Sequence, residues 1–216
     1  MPIVTIARET GAGGTDVGRL LATRLGVELV DGSLIDEVAR RLQLPREEVE
    51  DQEEHPRSIV ERLLRGMALA QGPIGVDGSL AAEVPSDQHD AIVALTAQVI
   101  REAARSGDAV VVGRGAGFVL AELPGAVHVF VCAPVEVRVR RLTALWGVDE
   151  TTARRRLQAD DARRRAYVRE VHGCEWRDPL NYDLSIDTGR VGYEDAAELI
   201  RLLVGRRVAA SVRDAD

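Results

Sequence analysis

Lysine is missing from this chain. All 28 basic residues are arginine, against 35 acidic residues, so the formal net charge is −7. A coding bias toward arginine, alanine and valine is the simplest explanation, but the physical consequence holds whatever the cause. Any cation that binds phosphate in this protein must be a guanidinium, with its planar bidentate geometry, or a metal ion.

Aromatic residues, cysteines and long apolar runs are scarce too. Aromatics make up 3% of the chain, and its two cysteines, Cys132 and Cys174, form no C-x-x-C motif, which predicts a reducing compartment without a disulfide framework. No apolar run approaches the roughly 20 residues of a membrane span, and no signal-peptide pattern is visible. The negative charge disfavours nucleic acid and anionic membranes as partners. We therefore expect a cytoplasmic protein that binds neither.

Apolar runs and helical patterns alternate along the chain. Continuous Val/Ile-rich runs predict parallel strands buried on both faces at Ile3–Ala7, Val27–Val30, Ala109–Val112, Val127–Val131 and Leu184–Asp187. Apolar residues at helical spacing predict helices over Thr15–Leu25, Ser33–Leu42, Ser58–Ala70, Asp90–Arg105, Pro134–Leu145, Asp149–Val171 and Tyr193–Val204. The alternation predicts one doubly wound α/β domain, and 216 residues suffice for its core.

Three segments break this alternation. The acidic segment Glu47–Glu54 predicts a solvated helix face, and Gln71–Gln88, rich in Gly, Pro, Asp and Ser, predicts a mobile loop. The polar residues 206–216 predict a disordered tail beyond a single domain at 1–205.

The turn after the first predicted strand has many features of a phosphate-binding loop. The stretch RETGAGGTD, at 8–16, departs twice from the pattern G-x-x-x-x-G-K-[ST], because Arg8 replaces its first glycine and Gly14 its lysine. Glycines at 11, 13 and 14 allow backbone N–H groups to approach phosphate oxygens at the start of a helix. From this stretch alone, a nucleotide loop and a glycine turn needed only for shape are equally supported.

Two side chains after these glycines are suited to magnesium. Thr15 falls where a hydroxyl can ligate Mg²⁺, and Asp16 can hold the ion through water or simply favour the helix N-terminus. Arg8 can reach back over the loop and supply the positive charge that the missing lysine would have given.

Charged residues also follow two other predicted strands. In VVVGRGAGFVL, at 110–120, Arg114 comes directly after a strand and a glycine, and Asp31 follows the strand ELV. Ligands bind at the carboxyl edge of such sheets, although a surface arginine in a tight turn is the alternative.

Arginines crowd into the segment between 138 and 169. They are Arg138, Arg140, Arg141, Arg154, Arg155, Arg156, Arg163, Arg164, Arg165 and Arg169. Such runs are usually solvated faces, but Asp161 and Arg164 share a helix face with Ala153, Leu157 and Val168, which indicates a positioned pair. A lid of arginines that closes over phosphates is the alternative interpretation.

In their order along the chain, these segments resemble the cytidylate kinase-like family, within the nucleoside monophosphate kinases. The resemblance is carried by Thr5–Gly14, Glu28–Asp31, Val110–Gly117, His128–Leu142, Asp160–Arg165 and Tyr182–Thr188. It implies a P-loop kinase fold, three-layer α/β/α, with a five-stranded parallel core sheet and a helical lid at about 146–178. An acceptor-binding insertion is implied at about 43–106.

The resemblance also implies a set of site residues. Nucleotide binding is expected at Gly11, Ala12, Gly13, Gly14, Thr15 and Asp16, with Thr15 on the Mg²⁺ of bound ATP. Acceptor binding is expected at Asp31, Arg114, Arg138 and Asp187, and catalysis at Arg8, Arg141, Asp161 and Arg164. Asp160 matches the same acidic-basic signature of the lid.

This sequence departs from cytidylate kinases at two motifs. They have G-K-G-T where this chain has Gly13-Gly14-Thr15-Asp16, and G-R-D where it has Gly113-Arg114-Gly115. Three hypotheses follow: ATP-dependent phosphoryl transfer to a nucleoside monophosphate, foremost CMP or dCMP; a nucleotide-binding regulatory protein without turnover; and a kinase of another small metabolite. A metal corner at His172, Cys174 and Glu175 lacks a matching second pair.

Overall fold

A computed structural model describes residues 3–54 and 88–213 of the protein. Five parallel strands form its sheet: β1 (Ile3–Arg8), β2 (Glu28–Val30), β3 (Ala109–Val112), β4 (Val127–Cys132) and β5 (Leu184–Asp187), in the order β2-β3-β1-β4-β5. The helices are α1 (Gly14–Leu25), α2 (Ser33–Leu42), α3 (Arg46–Glu54), α4 (Gln88–Ser106), α5 (Ala116–Val119), α6 (Val135–Trp146), α7 (Glu150–His172) and α8 (Thr188–Arg213). A 3₁₀ turn at Pro179–Asn181 precedes β5.

Apolar helices cover both faces of the sheet. One core layer joins Val17 and Leu21 of α1 with Ile200 of α8, and the other joins α2 with α4 through residues such as Ile35 and Ile100. Because both strand faces are covered, the central strands read as continuous apolar runs. The predicted three-layer α/β/α arrangement and all five strands are confirmed.

Most predicted helices are confirmed, with shifts of a few residues at their ends. The predicted helix Ser58–Ala70 and residues 71–87 of the predicted loop lie outside the described residues. Gln88, the last residue of that loop, begins α4. The acidic segment does form helix α3, which places Glu47 at the surface and buries Val49.

The prediction of a disordered tail after Gly205 is wrong for residues 206–213, which continue α8. Val208 packs against the core layer of α1 and α8, one turn beyond the buried Val204. Arg207 forms an ion pair with Asp183, just before β5. The helix therefore extends because its apolar stripe and one charge both find partners on the domain. Gly192, at φ 76° and ψ 175°, interrupts its first turns.

The sheet order places two glycine-rich turns side by side. β1 and β3 are neighbours with Ile6 opposite Val112, and the N–H of Gly113 donates to the carbonyl of Ile6 at 2.9 Å. The turns after these strands therefore meet at the carboxyl edge of the sheet, where ligands bind in such folds. Among the helices of the described residues, none is both long and apolar enough to cross a bilayer.

Candidate active site

The phosphate loop connects β1 to α1. Gly11 and Gly13 have φ of 79° and 80°, a left-handed conformation that glycine adopts without steric cost. Gly13 is also the N-cap of α1, and no side chain caps the helix there. Gly13 thus has no side chain that could accept from the first N–H groups of α1, as suits an anion at a helix N-terminus.

The carbonyl side of the loop is held by the start of α8 and by α6. The hydroxyl of Thr188 donates to the Ala12 carbonyl at 2.6 Å, and Arg141 donates to the carbonyls of Gly11 and Ala12, both at 3.4 Å. Arg141 also stacks on the ring of Tyr193, 4.7 Å from its centroid. Arg141, expected to be catalytic, thus supports the loop from outside the pocket described below.

Thr15 and Asp31 bring two oxygen ligands together. The Thr15 hydroxyl donates to the Asp31 carboxylate at 3.2 Å, so the first turn of α1 meets the end of β2. A hydroxyl and a carboxylate are the hard oxygen donors that Mg²⁺ prefers. Asp16 is exposed and pairs with Arg19 at 3.3 Å. These residues therefore fit an ion carried in with a nucleotide.

A buried cluster of charges joins helix α7 to the loop. Arg138 and Asp161 are 3% and 4% exposed, and the guanidinium donates to the carboxylate at 2.7 Å. Glu9, 7% exposed, pairs with Arg138 at 3.3 Å and with Arg177 at 2.6 Å. Arg177 also reaches Asp161 at 3.2 Å, so two carboxylates face two guanidiniums. Burial of these charges is tolerable because they are paired and hydrogen-bonded.

Arg8 lies in a trough between the two glycine-rich turns. A β-carbon built on Gly14 would come within 2.4 Å of the Arg8 Cβ and 2.6 Å of its Cγ. A β-carbon built on Gly113 would come within 1.9 Å of the Arg8 Nη1. The side chain therefore begins over the lysine position of the loop and ends over the turn after β3. A side chain at either glycine would displace it.

The turn after β3 has three successive residues with positive φ. Gly113, Arg114 and Gly115 have φ of 85°, 52° and 67°. A non-glycine residue in this conformation is uncommon, and such outliers concentrate at functional sites. A β-carbon on Gly115 would lie 2.3 Å from Nε2 of His172, a buried nitrogen without a hydrogen-bond partner. His172 therefore fills the space that a side chain at 115 would need.

A pocket opens between these turns and helix α7. Four arginines and one carboxylate line it together with aromatic rings: Arg8, Arg114, Arg163, Arg164 and Asp160, with Phe118, Tyr167, Trp176 and Tyr182. Asp160 pairs with Arg163, and guanidiniums outnumber carboxylates four to one among the described residues of the lining. A cationic pocket in a chain of net charge −7 favours a small anion, and its aromatic wall favours a flat ring.

Arg164 connects this pocket to the phosphate loop. Its Nη1 donates to the Thr10 hydroxyl at 2.6 Å and to the Arg8 carbonyl at 3.2 Å. The predicted pairing of Arg164 with Asp161 is loose, at 4.0 Å. The structure thus brings Arg8, Arg114 and Arg164 together at one pocket.

The other predicted site residues lie elsewhere. Arg138 and Asp161 belong to the buried cluster, and Asp187 accepts the Gly189 N–H at 2.8 Å beyond β5. In residues 3–54 and 88–213, no three His, Cys, Asp or Glu side chains are grouped as a metal site, so the idea of a corner at His172 gains no support.

Sequence reasoning missed Glu9, Arg163 as a pocket residue, Arg177 and the aromatic wall. Glu9 lies between a predicted buried strand and the glycine loop. A charge in that position is the one sequence signal that could have identified it. The aromatic wall could not be predicted as a unit, because its rings converge from α5, α7 and the segment before β5.

A parallel sheet of this order, with a glycine loop after its central strand and an anion pocket at its carboxyl edge, defines a P-loop kinase fold. The chain belongs to the cytidylate kinase-like family, whose model matches residues 3–190.

Individual relatives agree with this assignment. The cytidylate kinase of Methanopyrus kandleri is 26% identical over 211 residues, which cover 94% of this chain and 92% of the relative. Among solved structures, an uncharacterized protein from Eubacterium ventriosum is 23% identical with a TM-score of 0.69, covering 95% of this chain and 99% of its own. The shikimate kinase of Bacteroides thetaiotaomicron is 16% identical with a TM-score of 0.51, over 95% and 98% of the two chains. At these identities the two structures establish the fold alone.

Proposed function

We propose that this protein transfers the terminal phosphoryl group of ATP to a nucleoside monophosphate, with CMP or dCMP as the first acceptors to test. One observation carries the proposal: the uncapped glycine loop and the arginine-rich pocket adjoin at the carboxyl edge of β1 and β3. Membership of a kinase-like family supports phosphoryl transfer, and the relative from M. kandleri supports a cytidylate acceptor.

The loop serves as the donor site in this proposal. Backbone N–H groups at the start of α1 hold the phosphates of ATP, and Arg141 and Thr188 keep the loop in shape through its carbonyl oxygens. Thr15 and Asp31 would hold the magnesium ion that accompanies ATP, which supplies charge neutralisation at the phosphates.

The pocket serves as the acceptor site. Its guanidiniums bind the phosphate of the monophosphate, and the ring of Phe118, Tyr167 or Trp176 packs against the base. An acceptor phosphate oxygen then forms a bond to the γ-phosphorus of ATP while the bond to the ADP oxygen breaks. The products are ADP and a nucleoside diphosphate.

Arginine is the main source of positive charge for this step on the protein side. Phosphoryl transfer depends chiefly on positioning and on neutralisation of charge at the transferred oxygens, and an arginine in place contributes about 10³-fold or more in related reactions. Arg164 is oriented for this role by the Thr10 hydroxyl, at the border of loop and pocket. Arg8 lines the same border.

The test is ADP formation by the purified protein with ATP and Mg²⁺, against CMP, dCMP, UMP, AMP, shikimate and simple alcohols. We expect ADP release that depends on one class of monophosphate. As a matched pair, R164Q should abolish it and R165Q should not, because Arg164 lines the pocket and Arg165 is exposed on the same helix.

A second candidate is a nucleotide-binding regulatory protein without turnover. Gly14, at the lysine position, favours it, since the loop has no ammonium group of its own. Tight binding of ATP with no acceptor-dependent ADP across the whole panel would overturn the kinase proposal in favour of this one. ADP release with a non-nucleotide acceptor alone would instead make the protein a kinase of another metabolite.

A further inference from the structure

The path of the Arg8 side chain separates its charge from its point of attachment. Its Cβ and Cγ lie against Gly14, whereas its guanidinium lies against Gly113, in the turn that begins the acceptor pocket. A lysine at 14 would extend from the loop itself toward donor phosphates. Arg8 occupies the space where that lysine would start, but its charge lies at the far end of the trough.

We infer that Arg8 binds the acceptor phosphate and the group in transfer, and that donor affinity rests on the loop without it. This inference rests on the proposed function and deepens it, because it assigns the cation of the trough to one of the two substrates. It follows from position: Arg8 lines the pocket together with Arg114 and Arg164, and its Nη1 lies 1.9 Å from where a β-carbon on Gly113 would be.

The same geometry makes the position of the Arg8 side chain depend on the glycine at position 14. The contacts at Gly14 involve the Cβ and Cγ of Arg8, which are close to the backbone and cannot move aside as a flexible tip can. A side chain at 14 and the observed path of Arg8 therefore exclude each other. Arg8 can therefore reach the acceptor only because glycine, and not lysine, occupies position 14.

Binding measurements test the assignment. Calorimetry would compare wild-type protein, R8Q and the exposed control R165Q, with CMP and with a non-hydrolysable ATP analogue plus Mg²⁺ as separate probes. A lost charge-assisted contact to phosphate predicts at least about a tenfold weaker affinity of R8Q for CMP. The affinity of R8Q for the ATP analogue should change less than about threefold. R165Q should change the affinity for either probe by less than the same factor.

The outcomes separate this inference from the function on which it rests. If R8Q loses affinity chiefly for the ATP analogue, or binds both probes as the wild type does, the inference is overturned and the kinase proposal stands. If the wild type binds the analogue but neither CMP nor dCMP, both the nucleotide acceptor and the inference are overturned. If the wild type binds both and forms no ADP, the kinase proposal fails together with the contact of Arg8 to the group in transfer, and the affinity of R8Q for CMP still decides whether Arg8 binds the acceptor phosphate.

A thermodynamic cycle tests the packing independently of any ligand. G14A should lower the unfolding midpoint in wild-type protein, but should be neutral or stabilising in R8G, because alanine is the better helix former once the trough is empty. G205A is the control, since a β-carbon there meets nothing within 4 Å. Equal effects of G14A with and without Arg8 would show that the side chain does not lie on Gly14.

Discussion

The carboxylate of Asp161 accepts the backbone N–H of Thr10 at 2.9 Å, across 151 positions of sequence. This bond fixes the middle of α7 to the start of the glycine loop. Because Arg138 and Arg177 converge on the same carboxylate, the contact is part of a closed network of charges. The helix that lines the pocket proposed for the acceptor and the loop proposed to bind ATP are therefore positioned by one another.

Removal of the Asp161 carboxylate should be costly. D161A leaves the buried guanidinium of Arg138 without its closest anion, and breaking a buried pair typically costs about 3 kcal/mol or more. Urea unfolding would measure the loss of free energy. D160A is the control, since the pair of Asp160 and Arg163 is partly exposed, so a change below about 1 kcal/mol is expected. Equal effects of the two variants would contradict the network.

Thr15 and Asp31, which we propose to hold magnesium, should act together. T15A removes the hydroxyl and D31N removes the negative charge of the contact at 3.2 Å, so each should weaken Mg²⁺-dependent binding of ATP. The measurement is ATP affinity across a magnesium titration. If the residues share one ion, the double variant should be no worse than the more severe single variant by more than a few-fold. Full additivity would place them at separate sites.

Gly115 should resist replacement for a reason beyond its backbone conformation. Gly115 and Gly125 both have positive φ, 67° and 81°, but a β-carbon meets His172 Nε2 at 2.3 Å in the first case and nothing within 4 Å in the second. G115A should therefore destabilise the protein by about 1–3 kcal/mol more than G125A, the usual range for overpacking. Thermal and urea unfolding would measure the difference.

A second substitution isolates the contribution of His172. In the H172A background the difference between G115A and G125A should vanish, since both would retain only the backbone strain. A difference that survives would trace the cost to another neighbour. The same contact predicts that G115D cannot simply restore the G-R-D motif of cytidylate kinases.

Stability should decline in mildly acidic solution because of two half-buried histidines. Burial lowers the pKa of both His172 and His128 below the ordinary 6.5. The two imidazoles therefore bind a proton at a higher pH in the unfolded chain than in the folded protein. The stabilisation of the fold that comes from the neutral imidazoles is complete above about pH 6.5 and is lost as the pH falls below it. Urea unfolding from pH 7.5 to 5 should show a shallower decline for H172N than for wild type. Identical slopes would mean that His172 is not held neutral by the fold.

The strands of the sheet could be predicted because the sequence pattern that marks them is local. Runs such as Ala109–Val112 have no polar alternation, since helices cover both faces, and the glycines between strand and helix mark the turns. The tail after Gly205 was misjudged because the partner of Val208 lies in a core assembled from distant elements.

The site was predictable only in part. Arg114 could be placed at the sheet edge from its position after a strand, and Arg164 could be identified as a positioned side chain from its place on a helix face. The trough that holds Arg8 could not, because it exists only when β1 and β3 become neighbours and bring Gly14 and Gly113 to the same side chain. The roles of the predicted site residues remain predictions, which the variants above address.

The attachment of α7 at its centre limits how the pocket can exchange its contents. Asp161 is the midpoint of the helix. The half before it packs into an apolar cluster, in which Ala153 and Leu157 contact α6. A rigid-body movement of the whole helix would expose both the paired charges and this apolar cluster to solvent. Because Val168 in the outer half is also buried, against Phe130 and Trp176, we expect the helix to stay in place while small molecules enter or leave, and only pocket side chains such as those of Arg164 and Tyr167 to move.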